Sequence, residues 1–343
     1  MTGERPIRLA IDAMSGDRGP AVIVPAALDA LRDNPQLEIF LVGDEAALAG
    51  ALGAAGELRE RITLKHASEV VAMDESPVQA LRGKRDSSMR VAINLVKSGE
   101  AAACVSAGNT GALMATAHYV LRMIPGIDRP AICSAVPTVN GHVYMLDLGA
   151  NADCTAEHLL EFAVMGSALV SALDGIEAPR IGLLNIGEEE IKGNDRVKLA
   201  AQMIAASGLN YAGYIEGNDI TLGKVDVVVS DGFTGNVLIK SVEGTARFVG
   251  QMLREEFTRN PITRLEGLVA WPTLRRLGRR LDPQAYNGAS FLGLRGIVVK
   301  SHGNADRLGF KTAIRAALIE VTQNVPERIS HALAEAHYQE TDA

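Results

Sequence analysis

The chain is predicted to fold as an α/β protein with a doubly wound, mostly parallel sheet. Three observations predict it: short β-rich runs alternate with longer helical patterns along most of the 343 residues, four of those runs stop on glycine and small polar residues where a helix begins, and glycine is abundant at 34 residues. Alternation of this kind marks βαβ units with right-handed crossovers. A glycine content above the usual ~7% fits many tight strand-to-helix turns.

Strands are predicted near residues 7–12, 37–42, 101–106, 131–136, 142–147, 180–186, 225–230 and 296–301, with helices between them. Ser76-Pro77 makes a helix start, a capping hydroxyl followed by proline at the first helical position. A chain of 343 residues exceeds the usual single domain, so two lobes sharing a cleft are expected. The division places 1–150 plus 296–343 in the first lobe and 151–295 in the second.

One stretch breaks the alternation. From about 244 to 282 two helical patterns follow each other, one with Phe248, Val249, Met252, Leu253 and Phe257 on a face, the other with Leu265, Leu268, Val269, Leu274, Leu277 and Leu281. Pro261 separates them, and Pro272 is expected to kink or restart the second. Between Arg254 and Leu281 stand seven arginines, among them Arg275 and Arg276, against three glutamates, inside a chain of net charge −7 that has a single tryptophan, Trp271. An arginine-rich amphipathic hairpin suits an anionic bilayer surface, an acidic partner, or a twin hairpin in a dimer.

The glycine-rich strand ends are Ser106-Ala-Gly-Asn-Thr-Gly111, Asp147-Leu-Gly-Ala-Asn151, Asp231-Gly-Phe-Thr-Gly-Asn236 and Ser301-His-Gly-Asn304. In an open parallel sheet such ends share one edge, and amides at a helix start carry partial positive charge, so the loops suit phosphate or another anion. The same residues also serve ordinary turns. The loop Asn185-Ile-Gly-Glu-Glu-Glu-Ile-Lys-Gly-Asn194 is a fifth of this kind, with Lys192 just before a helix.

Composition excludes several classes. Apolar content of 47% with 22% charged residues rules out disorder, and a net negative charge argues against nucleic acid as main partner. Cys104, Cys133 and Cys154 are odd in number and form no C-x-x-C pair, so they read as reduced thiols of a cytoplasmic protein, Cys104 as a packed one. Met1-Thr-Gly-Glu-Arg-Pro6 runs straight into a strand, leaving no room for a signal peptide, and no apolar run is expected to span a bilayer. No G-x-G-x-x-G, no complete P-loop, no nucleophile elbow and no metal-ligand spacing is present, so neither a metal nor a covalent Ser or Cys nucleophile is demanded.

Together, Asp12-Ala-Met-Ser-Gly-Asp17, Ser106 to Met114, Gly126-Ile-Asp-Arg-Pro130, Asp147 to Asn151, Leu183-Leu-Asn-Ile-Gly187, Lys192-Gly-Asn194, Asp231 to Asn236, Asn287-Gly-Ala-Ser290 and Lys300-Ser-His-Gly303 closely resemble the bacterial phosphate acyltransferases of phospholipid synthesis. Ser15 departs from the glycine expected in the first motif, and 259–282 matches mainly in character. The resemblance implies a fold similar to isocitrate dehydrogenases and phosphotransacetylases, a homodimer, and transfer of a fatty acyl group from acyl carrier protein to inorganic phosphate without a cofactor. It also implies a downstream membrane glycerol-3-phosphate acyltransferase as consumer, and it places Lys192 and Asn236 at positions regarded as catalytic in the family.

The residues suggest a direct displacement. Phosphate is already an anionic nucleophile and a thiol leaves readily, so positioning and stabilisation of the thioester oxygen carry the barrier. Ser106, Gly108, Asn109, Thr110, Gly111, Asn194, Thr234 and Gly235 are the expected phosphate or oxyanion donors, and Asp12, Asp147 and Asp231 are expected to cap amides or orient Lys192. Arg254, Leu265, Leu268, Trp271, Arg275 and Arg276 are the expected membrane or partner contacts. Arg82-Gly-Lys-Arg85 either meets the carrier protein or is a solvated helix end. A phosphotransacetylase acting on a small acyl-coenzyme A, and a non-catalytic membrane-surface organiser, are the rival readings.

Overall fold

Residues 6–341 are described by a computed structural model; residues 1–5 and 342–343, and the side chains of Ala54, Arg279, Leu281, Pro283 and 337–341, lie outside the described residues. The chain opens with β1 (Ile7–Asp12), α1 (Pro20–Asp33), β2 (Leu37–Gly43), α2 (Glu45–Ala51), β3 (Ile62–His66), α3 (Pro77–Gly83), α4 (Ser88–Lys97), β4 (Ala103–Ser106) and α5 (Thr110–Leu121). An antiparallel hairpin follows, β5 (Ala131–Thr138) with β6 (Gly141–Leu146). Then come α6 (Ala156–Asp174), β7 (Ile181–Leu184), α7 (Asp195–Ala206), β8 (Tyr211–Ile215), α8 (Gly217–Leu222) and β9 (Val227–Val229). The long helices α9 (Gly232–Thr258) and α10 (Pro261–Leu281) precede β10 (Ala289–Leu292), β11 (Ile297–Lys300), α11 (Arg307–Thr322) and α12 (Val325–Thr341).

Among the described residues eleven strands form one sheet in the order β3-β2-β1-β4-β11-β10-β5-β6-β9-β7-β8. Within each half the neighbours are parallel, but β10 is antiparallel to both β11 and β5, and β5 is antiparallel to β6. The halves therefore run in opposite directions. This corrects the expectation of one shared edge: the carboxyl ends of β4 and β11 approach from one side, those of β6 and β9 from the other, and they meet over the antiparallel middle.

Contacts also cross the boundary expected from the sequence. The β5–β6 hairpin, assigned by sequence to the first lobe, is hydrogen-bonded to β9 of the second. Helix α12 also crosses over, since Val325, Ile329 and Leu333 join the core around Phe162, Met165 and Leu169 of α6. A separate core packs Leu9, Ile11 and Leu41 against Ile23, Leu31 and Phe310. Each such fully buried side chain contributes about 1.5–3 kcal/mol.

Local sequence explains where the helices start. Asn109 caps α5, accepting from Ala112 N–H at 2.9 Å; Asn194 caps α7 through Val197 N–H at 2.9 Å; Asp231 caps α9 through Thr234 N–H at 2.8 Å. Ser76 precedes Pro77 at the first position of α3 but makes no side-chain cap bond. Asn260 caps α10 with Pro261 behind it, and α10 runs on through Pro272 as one helix instead of restarting. Helix α6 is apolar and, at 19 residues, long enough to cross a bilayer, against expectation; it is mostly buried between the sheet, α7 and α12, which is the setting of a core helix.

Candidate active site

A cavity of about 730 Å³ opens where the two halves of the sheet meet. Its floor is β5, through Ile132, Ser134, Ala135, Pro137 and Thr138, and one wall is α9, through Asn236, Ile239, Lys240, Val242, Glu243 and Ala246. These α9 positions recur at three- and four-residue spacing, so they share one face, and ten residues of helix span about 15 Å. Leu277 and Arg280 of α10 cover the cavity near Val139, whose carbonyl accepts from Arg280 Nη2 at 2.6 Å. Thr110, Gly149, Asn287, Lys300, Ser301 and His302 supply a polar cluster.

Asn236 and Thr110 are the expected site residues that line this cavity. Asn236 packs beside Gly149, whose φ of +125° is a backbone conformation that disfavours any larger residue there. Lys192 is exposed on the turn ahead of α7 and is not part of the lining. Its loop is nevertheless tied to the start of α9, because Arg196 Nη2 donates to Asp231 at 3.1 Å while Nη1 donates to Asp153 at 2.6 Å. Asp231 thus orients Arg196, a residue the sequence reading passed over, and not Lys192.

Most of the other expected donors are spent within the chain. Gly108 N–H donates to Ser106 Oγ at 3.1 Å, and Ser106 Oγ donates to Asp12 at 2.6 Å. Asn109 Nδ2 donates to the carbonyls of Met73 and Glu75 at 2.8 and 3.1 Å. Gly235 N–H donates to Asp231 O at 2.9 Å, and any Cβ at 235 would collide with the Asp147 carbonyl oxygen. Gly235 is therefore a close-packing residue, as is Gly111 against Pro77. Asn194 serves its cap, and Thr234 is exposed outside the lining.

The carboxylates divide sharply. Asp147 is fully buried and accepts five N–H bonds, from the amides of Ile132, Gly149, Ala150 and Asn151 and from Asn151 Nδ2, at 2.7–3.1 Å. Burial pushes its carboxyl up while those donors oppose the shift. Asp12, 1% exposed, is likewise raised by burial, with Ser106, Ser88 and the Met14 amide opposing the shift, and its Oδ1 makes no close hydrogen bond among the described residues.

Lys300 is the residue whose signal was present but unread as a site. It ends β11, is 8% exposed, lines the cavity, and donates from Nζ to the Ser301 carbonyl. Burial, with Lys240 nearby, brings its ammonium down to about 8. The same burial lowers His302, and Asn287 clamps this loop by donating to Ser301 Oγ at 2.9 Å and accepting from His302 N–H at 3.0 Å. A lysine closing a β-strand before Ser-His-Gly was the available clue.

The three cysteines are buried with thiols pushed up by burial, which leaves them poor nucleophiles. Among the described residues no group of three or more His, Cys, Asp or Glu comes together to hold a metal ion. The site offers cations, amides and an apolar wall, the equipment for binding an anion beside an acyl group.

The model of the family described as "Fatty acid synthesis protein" matches residues 7–328. A phosphate acyltransferase of Alkalilimnicola ehrlichii is 60% identical over 328 residues, covering 95% of this chain and 96% of the relative. The chain belongs to this family of phosphate acyltransferases. A second relative, the phosphate acyltransferase of Methylococcus capsulatus, is 56% identical and covers 95% of this chain and 97% of its own. The enzyme is therefore an acyltransferase that uses phosphate. Its fold is similar to that of a phosphotransacetylase from Streptococcus pyogenes, with a TM-score of 0.62 at 18% identity over 92% of this chain and 94% of that one.

Proposed function

We propose that the enzyme reversibly transfers a fatty acyl group from acyl carrier protein to inorganic phosphate, making acyl phosphate for phosphatidic acid synthesis. The supporting observation is the cavity: about 730 Å³, running along α9 from Asn236 to Ala246, with a polar cluster beside an apolar wall of Ile132, Ile239, Val242 and Leu277. A site for acetyl groups alone needs no such apolar length. That comparison favours a long acyl chain over the small-acyl phosphotransacetylase alternative.

In this reading a phosphate oxygen attacks the thioester carbon, the C–O bond forms, the C–S bond breaks, and sulfur leaves with the electron pair as a thiolate that takes a proton from solvent. Asn236 orients the carbonyl from the α9 wall. Lys192 acts from the neighbouring turn that Arg196 ties to Asp231. Thr110 and the Phe233 end of α9 supply further donors near the thioester oxygen.

The hairpin of α9 and α10 is read as the contact surface for an anionic membrane face or a second copy of the chain. Leu265, Leu268, Val269 and Trp271 are all more than half exposed, beside exposed Arg254, Arg275 and Arg276. A cytoplasmic enzyme working at the inner face of the membrane, handing acyl phosphate to a membrane glycerol-3-phosphate acyltransferase, fits this surface. Sedimentation with anionic vesicles separates the bilayer from self-association, which equilibrium ultracentrifugation reads.

Purified protein incubated with long-chain acyl carrier protein and phosphate should yield acyl phosphate, and none when phosphate is omitted. Turnover of acetyl-coenzyme A with no product from the long-chain donor would transfer the protein to the phosphotransacetylase reading.

A further inference from the structure

The polar cluster of the cavity contains a buried cation that the fold itself leaves incompletely paired. Lys300 is fixed in register, opposite Ser106 on β4 and Ala289 on β10, so its backbone cannot shift without opening the sheet. Its Nζ has three N–H groups and reaches one acceptor among the described residues, the Ser301 carbonyl. No ion pair forms between Lys300 and a carboxylate among the described residues, although Asp12 nearby keeps a buried oxygen, Oδ1, that makes no close hydrogen bond among them. A lysine buried only to neutralise Asp12 would close on that oxygen. Lys300 faces the cavity instead.

A second cation approaches from the other side. Lys240 stands on the α9 face that carries Asn236, lines the same cavity, and is close enough to repel Lys300. Lys240 Nζ donates to Glu243 at 3.4 Å, which offsets part of that repulsion, and an anion between the two ammonium groups would offset the rest. The loop after Lys300 is held by the Asn287 side chain within the protein, so it does not require a ligand for its shape. Charged or titratable groups acting on Lys300 and its loop are Asp12 of β1, Asp17 beyond it, Lys240, Glu243 and Arg247 of α9, and His302.

We propose that Lys300 and Lys240 together hold a phosphate oxyanion in the cavity, with Lys300 the catalytic residue that binds and neutralises the attacking phosphate next to Asn236. This rests on the acyl-transfer reading above and deepens it by assigning the nucleophile's seat. The oxyanion has two sources in that reaction, inorganic phosphate and the phosphodiester of the carrier's pantetheine arm, and the geometry favours inorganic phosphate because Lys300 lies buried below the cavity opening.

The test uses Lys300→Met, Lys300→Arg and Lys240→Met in the full chain, with the apparent KM for phosphate and for acyl carrier protein measured separately. Binding of inorganic phosphate alone is followed by phosphorus NMR line broadening. Lys300→Met should raise the phosphate KM at least about tenfold with the donor KM within about twofold, and should abolish phosphate binding. The wild type should lose phosphate affinity as pH rises through about 8, where the buried ammonium gives up its proton, and Lys300→Arg should retain most binding and remove that dependence. Lys240 is exposed, so its replacement is safe for folding and should raise the phosphate KM about threefold.

A folded Lys300→Met protein with unchanged phosphate KM and binding overturns the proposal, and so does a rise confined to the donor KM, which would assign the seat to the pantetheine arm. If Lys300→Met does not fold, an unchanged phosphate KM in Lys240→Met overturns it. Wild-type protein that binds phosphate at this seat but forms no acyl phosphate would defeat the acyl-transfer reading and leave the seat standing.

Discussion

Asp147 and Lys300 are both buried charges at strand ends, one on each half of the sheet, and they are treated in opposite ways. Asp147 is surrounded by five N–H donors from its own loop and from β5. Lys300 is given one acceptor and a cavity. A buried charge costs several kcal/mol unless its surroundings solvate it, so the saturated carboxylate reads as architecture and the unsaturated ammonium as a place for a ligand. Glu320 is a third case. It is fully buried, is hydrogen-bonded to Ser290 and lies outside the cavity lining, and burial raises its carboxyl to about 7. Burial there favours the protonated form of the group.

The comparison breaks most decisively at Asp147. Asp147→Ala removes both carboxylate oxygens and strands five N–H donors, those of Ile132 and Asn151 in buried surroundings, so stability should fall by about 4 kcal/mol, read as a lower urea midpoint. A loss below about 1 kcal/mol would show that the saturated carboxylate is not structural.

Glu320 supplies a pH test. Its folded value lies above the ordinary 4.5, so the folded state holds the proton more tightly than the unfolded chain. Its stabilising contribution is complete below about 4.5, falls as pH rises to about 7, and is gone above that, a difference of roughly 3 kcal/mol. Glu320→Gln should remove the share of this slope due to Glu320, leaving the shares of Glu161, which burial also raises to about 7, and of Asp12 and Asp147, which burial raises as well. Unfolding followed from pH 4 to 8 reads both.

At the site, Asn236→Ala and Lys192→Ala should each lower turnover at least about tenfold, near 1.4 kcal/mol, while thermal midpoints stay unchanged. A loss at Asn236 alone would confine the chemistry to the cavity, and a loss at Lys192 alone would move it toward the turn that Arg196 holds. The smallest effect belongs to the hairpin. Leu268→Asp, at a side chain 72% exposed, should change the monomer's stability by less than about 0.5 kcal/mol while weakening whichever contact the hairpin makes.

Much of this was legible along the chain. The caps at Asn109, Asn194 and Asp231 act within three residues, so their local hydrogen bonds follow from neighbouring residue types, and the amphipathic stripe of the hairpin follows from spacing alone. Strands β3 and β8 were missed because they are sheet edges with half-exposed patterns and lack a continuous apolar run. β10 was missed because four residues carry too little periodicity.

By itself the sequence determined the α/β alternation, the helix starts, the acyltransferase family and the set of glycine-rich loops, because each depends on residues close together or on a resemblance carried by motifs. Tertiary structure alone decided that the two halves oppose each other, which loop amides are already occupied, and that Lys300 rather than Gly108 or Gly235 is left with unfilled bonding capacity. Those outcomes depend on pairing between distant segments, such as Ser106 beside Lys300 and Asp147 beneath Gly235, where burial and the count of available partners fix what each polar group can still bind.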